Sequence, residues 1–136
     1  MLNRNSAITE KYNIGKYPFE DNIEIIFSEN RNLIIQQIAA WPEEMSNIET
    51  LFSDQLGVQK NIEFNKGEIL KDNSLWRMEP SKWWLLGSTI EVPENLGTSL
   101  KLSHAFTSLT IDGEKSDVLL NRHLPLDLGL DNFPLN

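Results

Sequence analysis

The chain contains two histidines, His104 and His123, and no cysteine, so the histidines are the first candidates for a metal ligand or a general base. A protein metal site needs about three or four ligands at defined spacing, and no carboxylate stands in an i, i+4 arrangement with both histidines. The sequence therefore predicts no metal site. His104 falls on an apolar strand face of the sequence pattern, and we predict a hydrogen-bonded core histidine there, with a ligand or a base as the alternative.

Ser103 beside His104 is the one pairing that suggests a hydrolase triad, completed by a distant aspartate. Adjacent residues of a strand point to opposite faces, however, so these two side chains are poorly placed to share a hydrogen bond. The G-x-S-x-G elbow is absent, and so are the G-x-G-x-x-G and Walker A sequences that cradle phosphates. We therefore predict no catalytic and no cofactor-binding residue in this chain.

Three polar side chains, Arg122, His123 and Asp127, flank Pro125 near the end of the sequence. One interpretation is a surface ion pair between Arg122 and Asp127, which would contribute only about 0–1 kcal/mol. The other interpretation is a polar patch that contacts a partner subunit, because arginine is enriched at protein interfaces. The sequence leaves both interpretations open.

The 136 residues correspond to about one domain, and 20 acidic against 12 basic residues give a formal net charge of −8. An acidic chain without a basic patch repels phosphate backbones, so we expect no nucleic-acid partner. No apolar run is long enough to cross a bilayer, and the N-terminus lacks a secretory signal pattern. We expect a cytoplasmic protein with no membrane partner.

The stretch Leu75–Gly87 contains three of the four tryptophans, and we expect the strands that position the candidate residues to be organised around it. Trp76 and Met78 alternate with charged neighbours, which is the period of a half-buried strand. The segment Glu79–Lys82, with proline at its second position, is typical of a type I turn. The continuous apolar run Trp83–Leu86 then predicts a strand that is covered on both faces. We expect this hairpin to form the centre of the core.

Within this hairpin, Trp83 and Trp84 must face opposite sides of the sheet because neighbouring strand residues alternate. One side is the domain core. The other side needs cover, either from a helix of the same domain or from another chain. We therefore include Trp84 with Arg122, His123 and Asp127 in a candidate partner interface.

Two helices are predicted. The first begins at Pro42, because proline suits a first turn, or a turn later if Ser46 and Glu49 form a capping box, and it ends at Gly57, because glycine suits a helix end. Its apolar face is defined by residues at helical spacing, namely Met45, Ile48, Leu51, Phe52 and Leu56. The second runs from Glu114 to about His123 and ends before a proline.

The strands Ile23–Phe27 and Leu33–Ala40 are expected to pair antiparallel across a turn, and a short strand is expected around Ile62 and Phe64. Within Leu100–Gly113 the apolar residues change parity near Ala105, so we expect a bulge or two separate strands. These elements predict an α+β domain at residues 22–136, with an antiparallel or mixed sheet and two main helices packed on it. Residues 1–21 form an N-terminal arm, for which disorder and docking on a partner are the alternatives.

Three motifs in order resemble the gamma subunit of heterotetrameric sarcosine oxidase. The first is Trp76 with the Pro80-Ser81-Lys82-Trp83 turn and Leu85-Leu86. The second is Leu102-Ser103-His104-Ala105-Phe106-Thr107 followed by Ile111-Asp112-Gly113. The third is the segment from Val118 to Leu128, with Phe133-Pro134 beyond it. The resemblance covers roughly Ile23 to Pro134, and it departs from the family where those chains continue past the Phe-Pro position.

The resemblance implies an aminomethyltransferase-like fold and an accessory, non-catalytic gamma subunit. Such a complex converts sarcosine to glycine with hydrogen peroxide and a one-carbon unit as products, and its FAD, FMN, NAD and zinc reside in the other subunits, with folate in the complex. The implied partners are the large flavoprotein subunit and the remaining subunits. The alternative is a stand-alone folate-binding domain of one-carbon metabolism.

Overall fold

The computed structural model describes residues 6–11, 13, 15–19, 22–59, 61–125 and 128. The elements in chain order are β1 Gly15–Pro18, β2 Glu24–Glu29, β3 Ile35–Ala40, a short 3-10 helix Pro42–Glu44, α1 Met45–Leu56, β4 Gly67–Ile69, β5 Ser74–Glu79, β6 Lys82–Leu86, β7 Gly97–Lys101, β8 Leu109–Asp112 and α2 Ser116–His123. The chain divides into two units, Met1–Asn32 with Thr107–Leu135 and Leu33–Phe106. Among the described residues, no helix combines the length and apolarity needed to cross a membrane.

The first unit contains a three-stranded antiparallel sheet in the order β1-β2-β8. In the central strand β2, Ile25 pairs with Tyr17 of β1, and Ile26 pairs with Asp112 of β8. After β8 the chain passes Gly113 with φ at 143° and enters α2. A Cβ at this glycine would lie 2.7 Å from the carbonyl oxygen of Glu24, so the close approach of the two backbones requires glycine.

The second unit contains a five-stranded antiparallel sheet in the order β4-β5-β6-β3-β7. The β5–β6 hairpin turns at Pro80 and Ser81, and β6 is the middle strand of the sheet. The predicted tryptophan hairpin and its central position are therefore confirmed. The structure also confirms an α+β fold, with two antiparallel sheets and two helices.

One face of the five-stranded sheet is covered by α1, and we call it the inner face. Its buried residues form one cluster with the helix and the segment after it: Ile38, Ala40, Ile48, Phe52, Val58, Leu75, Trp83 and Leu85. The rings of Phe52 and Trp83 meet edge to face with centroids 5.3 Å apart. Burying these side chains is the main term that holds the unit together.

Helix α1 follows the sequence prediction closely. Ile48 and Phe52 are buried, and the remaining apolar residues of the predicted face pack partly buried against the cluster: Met45, Leu51 and Leu56. The helix ends at Gly57, whose φ of 75° is the left-handed conformation, and its N–H donates to the Ser53 carbonyl at 3.0 Å.

A buried glutamine fixes the loop that covers the rest of the inner face. Gln36 is 2% exposed, and its amide Nε2 donates to the Ile90 carbonyl while its Oε1 accepts the Ile90 N–H, both at 2.8 Å. Both ends of the amide are therefore satisfied. The loop beyond it contributes Val92 and Leu96 to the edge of the core.

The predicted antiparallel pair of the strands before and after Asn30 is wrong. β2 pairs with β1 and β8, whereas β3 pairs with β6 and β7. The short separation between β2 and β3 suggested a hairpin, but β2 finds its partners in the preceding strand β1 and the distant β8, and β3 finds both of its partners far along the chain. The short strand expected around Ile62 and Phe64 is also not formed, and β4 lies instead at Gly67–Ile69.

The parity change within Leu100–Gly113 is explained by two strands in different sheets. β7 ends at Lys101, a turn follows in which the Ala105 N–H donates to the Leu102 carbonyl at 2.9 Å, and β8 begins at Leu109. The expectation of two strands is confirmed.

Candidate interaction surface

The face of the five-stranded sheet that points away from α1 is the outer face. The strand registers place on it a row of apolar side chains, namely Ile35, Ile69, Trp76, Trp84, Leu86 and Leu100. Ile69 and Leu100 are 63% and 56% exposed, whereas the two tryptophans and Leu86 are half-buried. Ile35 is buried, and the same registers place Lys82 on this face opposite Ala39, where its ammonium binds Glu79 at 2.8 Å. The six apolar side chains offer contact area and no group for acid–base chemistry.

Trp84 lies at the centre of the outer face, as the alternation predicts. It pairs with Gln37 on β3 and with Trp76 on β5. Its ring is tilted by 55° against Phe106, with centroids 5.1 Å apart. The aromatic contact covers Trp84 only partly, because its side chain stays half-buried and Phe106 is itself 42% exposed.

Trp76 closes the other end of the outer face by lying over a glycine. It pairs with Gly67 across β4 and β5, and a Cβ at Gly67 would overlap the indole ring. The ring therefore occupies the space that a side chain on the neighbouring strand would fill. Its Nε1 donates to the Ser74 hydroxyl at 2.8 Å, which fixes the ring along the strand.

Arg122 and His123 belong to the first unit, at the C-terminal turn of α2. The Arg122 guanidinium carbon is 5.2 Å from the ring centroid of Phe19, and His123 Nδ1 is 2.9 Å from the Leu119 carbonyl oxygen. Both side chains are exposed, and basic residues at this end of a helix complement its dipole. Asp127, the third member of the predicted polar patch, lies outside the described residues.

The prediction of a core position for His104 is wrong. The residue is exposed, because β7 ends before it and the chain turns at Ser103–Ala105. The Ser103 hydroxyl is engaged with the backbone of Ile35, accepting its N–H at 3.0 Å and lying 3.4 Å from its carbonyl oxygen. The sequence prediction treated Ser103 and His104 as strand residues, whereas both lie in a turn, so it assigned them the wrong surroundings.

The inner face of β5 carries a charged residue that the sequence pattern did not identify. In the predicted alternation of β5, Trp76 lies on the outer face, whereas Leu75 is buried on the inner face and Arg77 shares its side. The Arg77 guanidinium donates to the carbonyls of Ile62 at 2.9 Å and Pro80 at 2.6 Å, and its carbon is 5.3 Å from the Trp83 ring centroid. These partners compensate for its partial burial.

Ionisable groups near the sheet are mostly paired. Arg77 is 3.8 Å from the Glu49 carboxylate in a largely buried pair, with side chains 19% and 14% exposed, whereas Lys82 binds Glu79 at 2.8 Å at the surface. The hydrogen bond from Lys66, with its positive charge as the second cause, lowers the pKa of the exposed Glu63 carboxyl. Within the described ranges, no group of three or more histidine, aspartate or glutamate side chains is arranged to hold a metal ion.

The fold established by these units is α+β, with two antiparallel sheets and two helices. A solved structure of similar fold is the heterotetrameric sarcosine oxidase from Corynebacterium sp. U-96 in complex with pyrrole 2-carboxylate, at a TM-score of 0.64 and 17% sequence identity. The similarity covers 83% of this chain and 62% of the matched chain, so this protein spans less than two thirds of its neighbour's length. No protein-family model and no curated protein matches the sequence.

Proposed function

We propose that this chain is the non-catalytic gamma subunit of a heterotetrameric sarcosine oxidase. The observation that carries the proposal is the similarity in fold to a chain of such an enzyme over 83% of this protein. The three sequence motifs that resemble the gamma subunit support the finer assignment. In this proposal the oxidation of sarcosine, with its FAD, FMN, NAD and zinc, belongs to the partner subunits, and folate binds elsewhere in the complex.

The outer face supports an accessory role because it carries large apolar side chains, several of which stay partly exposed, while its Lys82 is paired with Glu79. Exposed apolar area of this kind favours a protein partner over a substrate that must be oriented by polar groups. We propose that Trp84 contacts the large flavoprotein subunit. Arg122, His123 and Asp127 form a second contact in the same proposal.

The test is co-expression of the affinity-tagged chain with the flavoprotein and remaining subunits of a sarcosine oxidase. We expect flavin absorbance to co-purify with the tag in a fixed ratio to protein. Leu100→Glu places a charge on the exposed part of the outer face, so it should reduce the recovered flavin at least about tenfold, as expected when a charge is buried unpaired in an interface.

Ser99→Glu is the matched control, because Ser99 is the exposed neighbour on the same strand and points to the opposite face. It should leave the recovered flavin unchanged. Circular dichroism of both isolated variants checks that the fold is kept. If untagged flavoprotein subunits assemble fully without this chain and none is retained by it, the proposal is wrong. Saturable tetrahydrofolate binding to the isolated chain would instead favour the folate-binding alternative.

A further inference from the structure

β7 is an exposed edge strand of the five-stranded sheet. Among the described residues it pairs only with β3, over five consecutive residue pairs without a bulge. All four residues of Thr98–Lys101 are exposed, so no described segment covers this edge. β4, at the other end of the sheet, is three residues long. β7 is therefore the longer of the two edges, and it lacks the bulge and the proline that commonly protect an edge strand.

The hydrogen bonds to β3 show which backbone groups of β7 point to the open edge. The Leu102 N–H, directly after β7, donates to the Ile35 carbonyl of β3 at 2.8 Å. Hydrogen-bonded positions alternate along an antiparallel pair, so Leu100 also bonds to β3, whereas the N–H and C=O groups of Ser99 and Lys101 point away from it. Within the described residues these four groups have no backbone partner. Such a row of donors and acceptors recognises an extended backbone.

The charge around β7 differs from that of the rest of the chain. Residues 95–111 contain no aspartate or glutamate, although the chain has 20 acidic residues. No carboxylate of a described residue forms an ion pair with the Lys101 ammonium, whereas Lys16, Lys66 and Lys82 are each paired with a glutamate. A carboxylate opposite Lys101 on a neighbouring strand would form a favourable cross-strand pair, and a basic residue there would be repelled. The open edge therefore favours an acidic strand.

We propose that the edge of β7 binds an extended segment of a partner protein by strand addition, with a carboxylate side chain of that segment opposite Lys101. The segment adds a sixth strand to the sheet, and an apolar residue next to its carboxylate extends the apolar row of the outer face at Leu100. A second copy of β7 fits less well, because its own stretch offers no carboxylate to Lys101. The proposal goes beyond the assignment to sarcosine oxidase and does not depend on which protein supplies the strand.

The experiment uses the full ¹⁵N-labelled chain and the peptide acetyl-Ser-Val-Glu-Val-Thr-Gln-Ser amide as the probe. In antiparallel pairing its glutamate lies opposite Lys101 and its threonine opposite Ser99. We expect saturable shifts of the chain's amide signals. The shifts should be largest for Ser99 and Lys101, whose N–H groups gain acceptors, and smaller for Leu100, whose N–H already bonds to β3.

Two methylated peptides separate strand addition from contact between side chains. Methylation of the threonine nitrogen removes the donor to the Ser99 carbonyl and should weaken binding at least about tenfold. Methylation of the nitrogen of the second valine is the matched control, because that N–H points away from β7 in the paired strand. It should leave the affinity nearly unchanged.

A charge exchange tests the chemistry of the occupant. Lys101→Glu should weaken binding of the glutamate peptide about fivefold, and a peptide with lysine in place of that glutamate should regain the lost affinity. Lys71→Glu makes the same change in net charge at an exposed position of the same unit and should leave the affinity unchanged.

Three results would overturn the proposal. The first is the absence of saturable shifts at Ser99 and Lys101, and the second is equal affinity of the glutamate and lysine peptides for the unmodified chain. The third is a shift of these two amides that grows with chain concentration when no peptide is present, because it assigns the edge to a second copy. None of these results depends on the co-purification test above.

Discussion

The two faces of the five-stranded sheet differ in how their tryptophans are covered. Trp83 on the inner face is 1% exposed and packs against Phe52 of α1. Trp84, the next residue, is half-buried on the outer face beside Phe106. The same strand therefore carries one ring that is buried in the core and one that keeps exposed surface. The difference indicates that composition alone does not distinguish a core tryptophan from a partly exposed one.

The largest effect is expected from the matched pair Trp83→Ala and Trp84→Ala. Trp83→Ala creates a cavity in the core cluster and should lower the free energy of unfolding by about 3–5 kcal/mol. Trp84→Ala removes a partly exposed ring and should cost about 1–2 kcal/mol. Urea unfolding monitored by far-UV circular dichroism measures both. Equal losses in the free energy of unfolding would show that Trp84 on the outer face contributes to folding as much as Trp83 on the inner face does.

A second matched pair lies on β3. Gln36→Leu removes both hydrogen bonds to the Ile90 backbone and leaves two buried polar groups unpaired, so we expect a loss of about 2–3 kcal/mol. Gln37→Leu is on the outer face and should change stability by less than about 1 kcal/mol. The same unfolding experiment applies. A stable Gln36→Leu variant would mean that the loop is held by its apolar residues alone.

Gly67→Ala tests how firmly Trp76 is held on the outer face. The added methyl group overlaps the indole, so the ring must move off β4 and lose its bond to Ser74. We expect a loss of about 1 kcal/mol in stability, together with a red shift of tryptophan fluorescence. Unchanged fluorescence and stability would contradict the tight cover that the structure shows.

The smallest effect concerns Glu63, whose lowered pKa arises from Lys66 at the protein surface. A carboxyl with a lowered pKa in the folded state adds stability above its ordinary pKa and loses it as the pH falls through the folded value. Glu63→Gln should therefore lower stability slightly at neutral pH, where the carboxylate is charged, and leave it unchanged at the acid end, so the acid side of the stability profile becomes slightly flatter. Thermal unfolding between about pH 3 and pH 7 measures this.

Much of the second unit could be predicted because its signals are local. The helical spacing of Ile48 and Phe52 identified α1, and the proline turn identified the β5–β6 hairpin. The parity change before Phe106 indicated two strands. Each of these inferences compares residues within about two helical turns or within one strand. Over that distance the backbone geometry decides on which face of the element each side chain lies.

The remaining features depend on distant pairings that periodicity cannot reveal. Nothing local shows that Ile26 pairs with Asp112, so β2 was assigned to the wrong neighbour. The inward position of Arg77 on β5 was not predicted, because an arginine appears polar in sequence, whereas in the fold the Ile62 carbonyl and the Trp83 ring satisfy it. For the candidate site, the position of Trp84 was predictable from alternation, whereas the exposed position of His104 was not, because the chain turns after β7 where the pattern indicated a continuing strand.

The pairing of β2 with β8 also has a consequence for biosynthesis. A chain leaving the ribosome exposes β1 and β2 well before β8 has been made, whereas Leu33–Phe106 brings all of its own strands in one continuous stretch. The sheet β1-β2-β8 therefore cannot close until β8 has been made, whereas the strands of Leu33–Phe106 are complete earlier. During that interval β2 has an unpaired edge, which is the kind of edge that favours pairing with another chain.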